Sequence, residues 1–110
     1  MSDTNQTTYA RPIELAGFIE YSSGAVVSKT LLDKKAGTLT LFAFDAGQGL
    51  SEHTAPYDAT VQVVEGEVEL TIGGQSVHAK AGQLVIMPAG VPHSVRAMGR
   101  FKMLLIMIRG

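Results

Sequence analysis

The run Gly66-Glu67-Val68-Glu69-Leu70-Thr71-Ile72-Gly73-Gly74-Gln75-Ser76-Val77-His78-Ala79 can be read almost residue by residue. Val68, Leu70 and Ile72 alternate with Glu67, Glu69 and Thr71, the period-two pattern of a strand with one dry face and one wet face. Gly73-Gly74 then supplies a two-residue turn in which both positions need positive φ, which glycine adopts freely. A turn there pairs Ile72 with Gln75, Thr71 with Ser76, Leu70 with Val77 and Glu69 with His78. Leu70 and Val77 share the core face, and Glu69 and His78 share the outer one.

Working outward from this hairpin, the same kind of short extended run recurs. Candidate strands fall at residues 25–32, 38–45, 50–55, 60–65, 67–72, 75–79, 84–87, 93–97 and 101–108, and no segment carries a helical stripe. The chain contains 12 glycines, which punctuate these runs. Many short strands with glycine-rich turns read as an all-β sandwich or barrel. Residues 1–10 are polar and read as a flexible N-terminal arm, and residues 11–110 as a single domain opened by Arg11-Pro12.

Two strands are apolar on both faces. In the last one, Met103, Leu105 and Met107 face one way and Leu104, Ile106 and Ile108 the other. In 38–45, Leu39, Leu41 and Ala43 oppose Phe42 and Phe44. A barrel has one interior, so the second faces need a cover. A homodimer supplies it most simply, and the N-terminal segment folding over them is the alternative.

Composition excludes several classes. With 110 residues there is room for one modest core, and 45% hydrophobic residues are enough to build it. Nine Lys and Arg against ten Asp and Glu leave a net charge of -1, so the basic surface of a nucleic-acid binder is missing. There is no cysteine, which removes disulfides, thiolate metal sites and cysteine nucleophiles. No apolar run approaches the roughly 20 residues that cross a bilayer, and the polar start has no apolar signal core. The expectation is a cytoplasmic protein with no membrane or nucleic-acid partner.

Residues Gly47 to Ala97 carry two spaced motifs. Gly47 is followed after five residues by His53, and the strand close Val64-Glu65-Gly66-Glu67-Val68 comes later. Then Gly82, five residues, Pro88, Gly90 and His93 follow in order. In this order and at this separation they resemble the two signature motifs of the cupin superfamily. The resemblance implies a jelly-roll barrel, also called a double-stranded β-helix, of the small single-domain conserved-barrel kind. It also implies a site in the barrel lumen, where three His and one Glu of typical members hold a divalent metal. Here His53 and His93 stand at two of those positions. Ala55 stands at that of the second His, Ala59 at that of the Glu, and Ala97 at the Asn that usually closes the second motif.

Strand parity agrees with part of this, because His53 and Ala55 share a face. Two imidazoles without a carboxylate are an incomplete ligand set. A divalent zinc, nickel, iron or manganese ion held weakly by His53 and His93 is the cofactor expectation. Asp58 would need a bulge to turn inward, and Glu52 points away from His53. His78 faces outward and is not counted as a ligand.

The expected function is binding of a small, mostly apolar or aromatic molecule in the lumen. His53 and His93 fix its polar end, with Tyr57, Gln62 and Met87 also at the pocket. Met98, Met103 and Met107 read as core filler. Two alternatives stay open. One is a metal-dependent, dioxygenase-like enzyme with a rebuilt coordination sphere. The other is metal-free proton transfer by a lumen imidazole.

Overall fold

The computed structural model describes residues 8–109. Among these residues nine antiparallel strands make two sheets: β1 (Val26–Lys34), β2 (Gly37–Phe44), β3 (Gly49–His53), β4 (Asp58–Glu65), β5 (Glu67–Ile72), β6 (Gln75–Lys80), β7 (Leu84–Met87), β8 (His93–Ala97) and β9 (Phe101–Ile108). One sheet runs in the order β1-β2-β9-β4-β7 and the other β3-β8-β5-β6. Apart from the β1–β2 and β5–β6 hairpins, successive strands therefore cross between sheets, and the architecture is the jelly-roll barrel expected. Most of the 1–10 arm lies outside the described residues.

The β5–β6 hairpin has the register read from its sequence, from Ile72 opposite Gln75 to Glu69 opposite His78. Gly73 and Gly74 take φ of 56° and 82°, the left-handed region the turn demands. Leu70 is fully buried, and Glu69 meets Ser76 and His78 on the outer face.

The sheets face each other across an inner core. Phe44, Val61, Val63, Phe101 and Met103 come from one sheet, and Val68, Leu70, Val95 and Ala97 from the other. Phe44 and Phe101 stack with centroids 4.6 Å apart and are both fully buried. Gly66, between β4 and β5, has φ 80°, and a Cβ there would collide with the Arg100 carbonyl as the chain enters β9.

A second cluster lies on the outside of the five-stranded sheet. Leu41, Ala43 and Leu104 are covered there by Leu15, Phe18, Ile19 and Tyr21. The N-terminal segment thus covers this part of the second apolar face. Cations fasten it. Lys29 Nζ donates to the Phe18 carbonyl at 2.8 Å and sits over the Phe18 ring, while buried Lys102 donates to the Ala16 carbonyl. The Tyr21 hydroxyl donates to Glu65, and burial followed by that carboxylate pushes its pKa up. Farther along the same face the row Ile86, Thr60, Ile106, Leu39, Leu32 runs across five strands, with Leu39 and Ile106 packed against the same cluster and Thr8, Tyr9 and Ile13 beside Leu32 and Leu39. Ile86 is 62% exposed and nearby Ile108 60%.

Candidate lumen site

His53 ends β3 and His93 begins β8, and the two are direct cross-strand neighbours. Forty residues of chain separate them, yet their Nε2 atoms stand 3.2 Å apart, with ring planes inclined at 71°. A β-bulge produces this. Leu50 pairs with Val95 and His53 with His93, so β3 carries one extra residue between the pairs. Alternation alone would put Leu50 and His53 on opposite faces, and the bulge turns both inward. On the other strand, the turn through Pro88, Gly90 and Pro92 delivers His93, which is 4% exposed. His53 is exposed and sits at the mouth.

The backbone fixes both rings. His53 Nδ1 lies 3.0 Å from the Ser51 carbonyl and His93 Nδ1 lies 3.2 Å from the Val91 carbonyl. A carbonyl only accepts, so with both Nδ1 atoms donating to these carbonyls each ring presents the lone pair of Nε2 to the other. Two lone pairs at 3.2 Å repel unless an electrophile joins them. A shared proton, a donor group of a guest, or a cation meets that need.

Behind the pair lies a cavity of about 130 Å³. Apart from the two imidazoles its lining is apolar, with Ala55, Ala59, Met87 and Met107 among the contributors. An apolar cavity of about 150 Å³ stays dry and takes benzene, so this one matches a single ring. A larger hollow of about 290 Å³ lies along Arg11–Phe18, remote from both lumen imidazoles.

His53, His93 and Met87 thus line one cavity together. Tyr57 and Gln62 do not, and both are corrected. Gln62 alternates with Val61 and Val63, which point into the core, and it pairs with Leu104 of the outer cluster. Tyr57 lies outside the cavity lining, with its ring 5.8 Å from the Arg109 guanidinium. Met98 is no core filler, being 56% exposed. Leu50, Val95, Met103, Leu105 and Met107 line the cavity but were not expected at the site. The cross-strand row Met87–Ala59–Met107 would have revealed Met107, but only once β9 is known to lie beside β4.

The divalent metal implied by the family does not fit these residues. No group of three or more His, Cys, Asp or Glu comes together among the described residues. Ala55 and Ala59 line the cavity at two of the ligand positions. Asp58 is turned away, its Oδ1 accepting from the Ala89 amide at 2.8 Å. A dication here would have no carboxylate to balance it.

Residues 40–109 match the cupin domain family. A conserved protein of unknown function from Streptococcus pyogenes is 31% identical, with a TM-score of 0.88 over 93% of this chain and 90% of its own. A cupin superfamily protein from Desulfitobacterium hafniense is 30% identical, with a TM-score of 0.87 over 92% and 93%. A cupin 2 conserved barrel domain protein from Leptotrichia buccalis is 38% identical, with a TM-score of 0.83 over 86% of this chain and 46% of that one. No curated protein matches. The chain belongs to the cupin family. No helix among the described residues is long and apolar enough to cross a membrane.

Proposed function

We propose that this cupin binds a small organic molecule of one-ring size in its lumen, with the His53–His93 pair holding a hydroxyl or carboxyl group at the mouth. One observation carries the reading: two imidazoles with facing Nε2 atoms close one end of an otherwise apolar cavity of about 130 Å³. A donor group on the guest relieves the facing lone pairs, and the ring fills space the protein leaves empty. Three methionines in the lining, Met87, Met103 and Met107, give a surface that adapts to an aromatic ring.

Calorimetric titration of the metal-free protein with phenols and benzoic acids tests it. The expected result is one guest per chain, with binding lost in Ala59→Leu, which fills the cavity. Binding that survives Ala59→Leu unchanged, or no binding by any one-ring guest, overturns it.

A homodimer is proposed alongside. The exposed Ile86 and Ile108, at the edge of the partly buried Ile106 and Leu39, support burial against a second copy. Sedimentation velocity should give a dimer that Ile86→Lys converts to monomer. A monomer at all concentrations removes the proposal.

A further inference from the structure

We infer that the lumen is a monovalent copper site, in which His53 and His93 supply two imidazole nitrogens and the methionines facing them supply thioether sulfur.

The position of the missing carboxylate is where the observation starts. Ala59 pairs on one side with Met87 of β7 and on the other with Met107 of β9. Directly opposed residues share a face and sit about 4.5–5.5 Å apart at Cβ. With Ala at this place, two methionines flank it across the strands, and all three residues line the same cavity as both imidazoles. Met103, two strand repeats away on the same face of β9, lines it too. The nitrogens come from one sheet and the sulfurs from the other.

Both halves of this set favour the same ion. Metal–imidazole bonds of about 2.0–2.1 Å to two Nε2 atoms 3.2 Å apart enclose an angle of about 100–106°. That is near tetrahedral, with the remaining positions directed away from the Nδ1 anchors. Thioethers are soft donors that select Cu(I) over the harder ions. Charge points the same way. Imidazole and thioether are neutral, and no acidic side chain lines the cavity. A buried monocation leaves one uncompensated charge, where zinc, iron or manganese as dications would leave two. Strongly hydrated ions also find no oxygen donors here to replace their water.

The inference is independent of the organic guest. It uses the same imidazoles but requires the methionines as donors rather than as an apolar wall. Tag-free protein is titrated anaerobically with Cu(I) alone, against a chromophoric Cu(I) chelator. The expected result is one tightly held ion per chain and a Cu K-edge spectrum containing both nitrogen and sulfur scatterers. Met87→Leu/Met107→Leu keeps the volume close to constant, so the fold is retained. It should weaken Cu(I) by about tenfold or more, a loss that even an indirect partner of a metal can cause. Met98→Leu, at the exposed methionine, should change nothing. No stoichiometric binding, a spectrum without sulfur, or unchanged affinity in the double variant overturns the inference. Phenol binding that persists while Cu(I) fails to bind would overturn this inference alone. Cu(I) binding with no uptake of any one-ring guest would overturn the small-molecule reading alone.

Discussion

The two ends of the inter-sheet space are built from the same strands and differ in what fills them. At one end Phe44, Phe101, Val68 and Leu70 are fully buried and leave no room. At the other, Ala55 and Ala59 with unbranched methionines leave about 130 Å³ beside two imidazoles. β8 runs through both, from His93 at the hollow end to Ala97 at the packed end, where it pairs with Val68. Close packing is concentrated at one end, and the small residues and the β-bulge at the other.

The largest expected effect is at the packed end. Phe101→Ala removes a ring stacked on Phe44 and should destabilise by about 3–5 kcal/mol, measured by urea unfolding. A loss of less than about 1 kcal/mol would mean this end is not the anchor.

A matched pair of substitutions separates the ends more finely. Ala97→Leu overfills close packing and should cost about 1–3 kcal/mol. Ala59→Leu places the same atoms into empty space and should change stability by less than about 1 kcal/mol while abolishing guest binding. Equal costs at both sites would contradict the hollow.

The smallest effect concerns the loop closing the packed end. Asp45 accepts from Arg100 Nε at 2.9 Å and from the Gly24 amide at 2.7 Å. The Arg100 hydrogen bond first, and then the Gly24 and Ala46 amides, lower its pKa from 3.8 to about 2. A depressed carboxylate pKa stabilises above the unfolded value and ceases to do so as pH falls through the folded one. The stability gap between the protein and Asp45→Asn should therefore be constant at neutral pH and close between pH 3.8 and about 2. Thermal melts across that range check it, and a gap that widens on acidification would be the wrong sign.

Legibility from sequence followed the range of the interactions. The hairpin could be registered pair by pair because a Gly-Gly turn and strict alternation are local. His53 and His93 were found through motif spacing, which already encodes the turn that brings them together. Met107 was missed as a site residue because its approach to Ala59 depends on β9 inserting between β2 and β4, a contact between distant segments. Gln62 was placed at the pocket against its own strand parity, and parity prevailed. The cover for Leu41 and Leu104 came from Phe18 and Ile19, whose short irregular segment carries no periodic signal.

The three histidines make the decisive measurement internal to the molecule. Imidazole ¹⁵N resonances are followed as a one-ring phenol is added to the metal-free protein. The Nε2 signals of His53 and His93 should move together and saturate at one equivalent, while His78, which faces Glu69 on the outer surface, stays still. Silence at 53 and 93, or a displacement of His78 as large as theirs, would contradict a guest held in the lumen.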